Sequence, residues 1–107
     1  MRELSVQALK AARDAGTATD WQLIDVREPW EHALCALPGA MLVPMQALPQ
    51  RLTELDPART TVVLCHHGVR SYQVALWLER QGFTDVANLS GGIDAWAREI
   101  EPGMAVY

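Results

Sequence analysis

The sequence predicts an α/β fold built on a parallel sheet. Helical and strand-like segments alternate from one end of the chain to the other, and the strand candidates are short apolar runs, the second almost continuous, as in strands buried on both faces. No internal repeat, low-complexity tract or Gly/Ser linker interrupts the 107 residues, so residues 1–107 are expected to form a single domain. A chain of this size can bury roughly 65% of its unfolded surface and needs no metal or disulfide to fold.

Taken in order, SVQALKAARDAG from Ser5 places Val6, Leu9 and Ala12 at helical spacing, with Ser5 as N-cap and Gly16 as the stop. WQLIDV (Trp21 to Val26) is the first strand. A helix is expected from Glu28 to about Leu34, a strand at Met41 to Val43, and a helix at Pro49 to Leu55 with Pro49 in its first turn. TTVVLC (Thr60 to Cys65) is the most continuous apolar strand. A helix from Ser71 to Gly82, a strand at Asp85 to Leu89 and a helix from Gly92 to Glu99 complete the alternation. In open sheets of parallel strands, ligand sites lie beyond the carboxyl ends of the strands. Asp25 and Arg27 end one strand and Cys65 ends another, so adjacent strands would bring all three to one edge.

Composition narrows the function. Nine basic against thirteen acidic residues give a formal charge of −4, and no basic patch is visible, which argues against nucleic acid or an anionic membrane as partner. The N-terminal stretch carries acidic groups and lacks an apolar core, so no signal peptide or membrane span is expected and the chain is read as cytoplasmic. The two cysteines, Cys35 and Cys65, lack the spacing of a zinc ribbon or a disulfide framework.

The segment Cys65-His66-His67-Gly68-Val69-Arg70-Ser71 joins a buried strand to a helix. Gly68 can take positive φ, so that successive N–H groups converge above the helix N-terminus as an anion-binding nest. The helix dipole adds positive potential. A free thiol is only about 3% ionised at pH 7, and such surroundings lower its pKa to roughly 3.5–7.5. Cys65 is therefore expected to be a nucleophile. Arg70 and, when protonated, His66 or His67 would favour the thiolate and attract an anionic substrate.

The loop CHHGVRS resembles the active-site loop of the rhodanese-like sulfurtransferase domain, of the form C-x-x-G-x-R. DVREPWE (Asp25 to Glu31), LPGA (Leu37 to Ala40) and LSGGIDAW (Leu89 to Trp96) are similar to further signatures of that family, in order and over nearly the whole chain. The resemblance implies a central parallel sheet of about five strands flanked by helices on both faces. It also implies sulfane-sulfur transfer through a Cys65 persulfide, with no metal or organic cofactor. The donor would be thiosulfate or another small anionic persulfide source, and the acceptor cyanide, a small thiol or a protein cysteine. The alternative function is a sulfur-relay or protein-binding module with little turnover of small donors. Related phosphatases of this fold have a longer span between cysteine and arginine. The four residues here, His66 to Val69, make a tighter cradle that suits one sulfur atom better than a phosphoryl group.

His66, His67, Gly68, Val69, Arg70 and Ser71 are thus the expected substrate-binding residues, with Asp25 and Arg27 supporting the loop without reacting. Arg70 has two readings, contact with an anion and pairing with a carboxylate. The histidines are read as pocket rim, since adjacent side chains diverge and no third ligand has motif spacing. Cys35 is read as structural, a resolving thiol being the alternative. Trp30 either walls the pocket or packs beneath the loop. Gly91 and Gly92 are read as a sharp turn into the last helix, and Trp96 as core. On the helical wheel from Ser71, Trp77 falls among Gln73, Arg80 and Gln81. Packing against a neighbouring helix is preferred there to a docking patch.

Overall fold

The structure is a computed structural model that describes residues 1–107. Its elements run β1 (Arg2–Leu4), α1 (Val6–Asp14), β2 (Gln22–Asp25), α2 (Pro29–Leu34), β3 (Met41–Leu42), α3 (Leu48–Arg51) continued by a 3-10 turn (Leu52–Glu54), β4 (Thr61–Leu64), α4 (Val69–Arg80), β5 (Val86–Leu89) and α5 (Gly92–Glu99). The five strands form one sheet in the order β1-β5-β4-β2-β3, with every neighbouring pair parallel.

β2, β4 and β5 are buried along their whole length, which is why apolar residues point to both faces of each, with Gln22, Asp25, Thr61 and Asn88 as buried polar exceptions. Their side chains alternate between two cores. Ile24, Val63 and Val86 face α4 and the α3 region, where Val74, Ala75, Leu78, Leu48 and Leu55 pack. Leu23, Val62, Ala87 and Leu89 face α1 and α5, where Val6, Leu9, Ile93 and Trp96 pack. Helices therefore cover both faces, as the resemblance implies. No helix is long and apolar enough to cross a membrane.

Local signals explain the helix ends. The Ser5 hydroxyl accepts from the Ala8 N–H at 3.0 Å and caps α1. At α2, Glu28 and Glu31 form a capping box, and Pro29 occupies a first-turn position where its missing N–H costs nothing. Three elements differ from expectation. The helix expected at Pro49 to Leu55 is α-helical only over Leu48–Arg51 and tightens into the 3-10 turn beyond it. β1 is an edge strand of three residues, two of them exposed, and pairs Arg2, Glu3 and Leu4 with Ala87, Asn88 and Leu89; so short a segment has no periodicity to read. α4 starts at Val69, two residues before Ser71, because Gly68 at φ +102° turns the chain straight from the loop into the helix. Trp77 is partly buried and packs against the core on the α4 side, along with Met45 and Leu52.

Candidate active site

The pairing of β2 with β4 sets Asp25 opposite Leu64, so both strands end at one edge, and Cys65 lies there, 1% exposed. The Gly68 turn curls the loop back over the sulfur. Cys65 Sγ accepts from the Gly68 N–H at 3.1 Å, the Ser71 N–H at 3.4 Å and the Ser71 hydroxyl at 3.3 Å. Gly68 is the N-cap of α4 and has no side chain to offer, so the sulfur takes the place of a capping oxygen. Burial alone pushes the thiol pKa up. The Ser71 hydroxyl and the N–H groups of Ser71, Gly68 and His67 together outweigh it, and the net shift is downward.

Two flanking residues fix this cradle. Asn88 on β5 accepts from the Ser71 hydroxyl at 2.5 Å, and its amide donates to the Gly68 carbonyl at 3.1 Å. The first turn of α5 holds the other side of the loop: the N–H groups of Ile93 and Asp94 donate to the carbonyls of Cys65 and His66 at 2.9 and 3.1 Å. Gly92 makes that approach possible, since a Cβ there would lie 2.4 Å from the Cys65 carbonyl oxygen. The Gly91-Gly92 pair is therefore a close-approach site as well as the expected turn.

Arg70 satisfies its carboxylate reading. It binds Glu31 on α2 through two nitrogens, at 2.7 and 2.8 Å, with Glu31 3% exposed and the arginine side chain 36% exposed. Arg70, first, and then the Glu28 N–H and Tyr107 hydroxyl overcome burial and hold the Glu31 carboxyl down at about 2. The Cys65 charge is close enough to contribute to the raised pKa of Arg70, behind the larger effect of Glu31. For His66, whose charge the sequence leaves conditional on protonation, the surroundings act against the cation. Burial, and then His67, push its pKa down, which disfavours the charged imidazolium. Its Nε2 is buried without a hydrogen-bond partner, and its ring stacks on Tyr107 with centroids 3.8 Å apart and planes 4° from parallel.

Asp25 and Arg27 are fully buried and paired at 2.7 Å, which rules out an ordinary surface pair. Arg27 makes no hydrogen bond to the Cys65 loop. It donates to the carbonyls of Glu31 and Cys35, at 3.2 and 2.7 Å, and to the Tyr107 hydroxyl at 3.1 Å. Cys35 ends α2 and packs on the α1/α5 side of the sheet. Trp30 is 62% exposed and meets Tyr107 edge-on at 6.0 Å, placing it on the rim. Sequence reasoning missed Glu31 as Arg70's partner, Asn88 as the holder of Ser71, and Tyr107. Only Glu31 had a signal, its place three residues after Glu28 at a helix start.

The structure supplies the third group that motif spacing lacks beside the histidines: ligand atoms of His66, His67 and Asp94 lie within 4.8 Å of one another. Asp94 is already paired with Arg98 at 3.0 Å, and a guanidinium there opposes a second cation. The largest cavity, about 410 Å³, opens beside the loop and is lined by Glu3, His67, Gly68, Val69, Tyr72 and Asn88 among others. Cys65 itself is not part of its wall.

The rhodanese-like domain family model matches residues 5–99. The chain is 38% identical over 112 residues to the chloroplastic rhodanese-like/PpiC domain-containing protein 12 of Arabidopsis thaliana, covering all of this chain but only 38% of that protein. It is 43% identical over 86 residues to a sulfurtransferase of Allochromatium vinosum, covering 80% of each. The crystal structure of a rhodanese-like domain protein from Staphylococcus aureus superposes with a TM-score of 0.83 at 31% identity, over 100% of this chain and 99% of that one. With the family matched over most of its length and the fold shared end to end, the chain belongs to the rhodanese-like domain family.

Proposed function

We propose that this protein is a sulfurtransferase that moves sulfane sulfur from thiosulfate or a persulfide donor to a nucleophilic acceptor through a persulfide on Cys65. Membership of the family supports sulfur transfer in general. The observation that carries the choice of residue is the Cys65 sulfur, set at the head of α4 with two N–H groups and a hydroxyl aimed at it. That surrounding stabilises an anionic sulfur before reaction and accommodates a charged persulfide after it.

In the first step the Cys65 thiolate attacks the outer sulfur of thiosulfate. A new S–S bond forms, the old one breaks, and sulfite leaves with the electron pair. The enzyme-bound outer sulfur carries the negative charge and turns toward the N–H groups of the loop. In the second step cyanide or a thiolate attacks that sulfur, and Cys65 departs as the thiolate the cradle favours. Gly68, Val69 and the two histidines shape the cradle and its rim. Arg70, paired with Glu31 yet partly exposed, presents positive charge to an incoming anion. Asp25 and Arg27 support the site from behind α2.

The test mixes purified protein with thiosulfate and cyanide and measures thiocyanate, with mass spectrometry of Cys65 after exposure to donor alone. Steady turnover and a gain of one sulfur on Cys65, both lost in Cys65→Ser, are the expected results. Loading without turnover identifies the relay reading instead. Absence of both loading and an acidic Cys65 thiol removes the persulfide mechanism.

A further inference from the structure

We infer that Tyr107 is a positioning residue for the chemistry at Cys65, its hydroxyl holding Glu31 in place for Arg70 and its ring clamping His66, the residue that follows the thiol. The inference rests on the reading of Cys65 as the reacting group.

The hydroxyl argument is one of completed valences. The Tyr107 hydroxyl donates to Glu31 Oε2 at 2.7 Å and accepts from Arg27 Nη1 at 3.1 Å. It has one proton, and both of its roles are filled by groups that are themselves buried, so its position is fixed. Through it, the buried Asp25–Arg27 pair is joined to the Glu31–Arg70 pair. Glu31 Oε2 also receives Arg70 Nη2 at 2.8 Å, so the tyrosine sets the carboxylate that in turn sets the guanidinium. Asp25 and Arg27, which make no hydrogen bond to the loop themselves, thereby reach it through the tyrosine.

The ring supplies the second half. His66 lies parallel to Tyr107 on a full stack, and the buried Nε2 of His66 has no hydrogen bond to hold it. Stacking against Tyr107, with His67 at a 34° tilt, orients that imidazole together with a hydrogen bond to the Tyr107 backbone. The tail that delivers the tyrosine is anchored, since Ile100, Met104 and Tyr107 pack on the core formed with α5. A residue about forty positions from the thiol in sequence thus braces the loop at two points, through a charge and through a ring.

The test compares Tyr107→Phe, which keeps the ring and loses the hydroxyl, and Tyr107→Leu, which loses both, with wild type and Arg70→Ala. The first readout is the rate of Cys65 alkylation by anionic iodoacetate divided by that by neutral iodoacetamide. This ratio reports positive charge at the sulfur whether or not the protein transfers sulfur. The second is KM and kcat for thiosulfate. Because the tyrosine acts on Arg70 only through Glu31, a part of the effect of one hydrogen bond to a charged group reaches the sulfur, and Tyr107→Phe is expected to lower the ratio about three- to tenfold, toward the Arg70→Ala value. KM for thiosulfate rises by about the same factor while kcat stays within about twofold. Tyr107→Leu lowers the iodoacetamide rate as well, because His66 is released. A ratio within about twofold of wild type in Tyr107→Phe overturns the inference, whatever happens to Tm, as does an Arg70→Ala ratio that does not fall. If wild type turns over no thiosulfate while Tyr107→Phe still lowers the ratio, the sulfur-donor reading fails and the role of Tyr107 stands.

Discussion

The Ser71 hydroxyl has one proton and two neighbours that can take it, Asn88 Oδ1 at 2.5 Å and Cys65 Sγ at 3.3 Å. With a neutral thiol, the hydroxyl gives its proton to Asn88 and can itself accept from the S–H. Once the thiolate forms, the hydroxyl turns its proton to the sulfur. Ser71 therefore favours the ionised form more than the neutral one, and among the groups that lower the Cys65 pKa it is the largest. Ser71→Ala is expected to raise the thiol pKa and slow iodoacetamide alkylation at pH 7 about three- to tenfold, read from rate against pH. An unshifted profile would leave the N–H groups alone responsible. The nucleophile candidate and its loop were legible in the sequence because a strand end, a glycine and a helix start fall within seven residues. Asn88 was not, since a single asparagine in an apolar strand carries no signal until β5 is laid beside β4.

Two helix N-termini converge on the Cys65 loop with different tasks. α4 points its first N–H groups at the sulfur, and α5 points its own at the carbonyls of Cys65 and His66. The loop is thus held by donors on both sides, which fixes the conformation that turns the Gly68 and Ser71 N–H groups to the sulfur. Gly92 is the contact on which this depends. Its φ is +60°, and a Cβ would lie 2.4 Å and 2.5 Å from two backbone oxygens that cannot rotate away. Gly92→Ala is expected to destabilise the fold by about 3 kcal/mol, seen as a lower urea midpoint, and to weaken Cys65 reactivity in the fraction that stays folded. Gly82, at φ +95° with nothing within 4 Å of its Cβ, is the control, because only backbone strain acts there. α1, capped by the Ser5 hydroxyl, and α5, which opens at the Gly91-Gly92 turn, start where the sequence places them. α4 was displaced by two residues because its cap is a glycine and a sulfur.

At the scale of the molecule, the Arg70–Glu31 pair ties α4 to α2 across thirty-nine residues, and Tyr107 adds the C-terminal tail. This network makes stability depend on pH in a defined direction. Glu31 titrates at about 2 in the folded chain, against an ordinary 4.5, with Arg70 the first cause. A carboxyl whose folded pKa is depressed stabilises the fold fully above its unfolded value, and the stabilisation drains away as pH falls from about 4.5 toward about 2. Arg70 is about a third exposed, so solvent screens the pair. The expected loss in Glu31→Gln at pH 7 is about 1–3 kcal/mol. Urea titrations at several pH values should show wild type losing stability through that window and Glu31→Gln responding more weakly; parallel curves would contradict the assignment.

The sequence by itself determined the class of fold, most of its elements, the family and the candidate thiol. These rest on local information: hydrophobic runs, caps, turn residues and a loop in which seven neighbours act together. The tertiary structure decided what surrounds that loop. Glu31, Asn88, Gly92 and Tyr107 reach it from four other segments, and it alone resolved Arg70 toward a carboxylate and Asp25–Arg27 into the interior. The physical reason is that hydrogen bonds and ion pairs between distant segments depend on strand order and helix docking. One short parallel edge strand, β1, and one tail that ends on His66 complete the geometry, and neither has a periodic pattern from which its partners can be read.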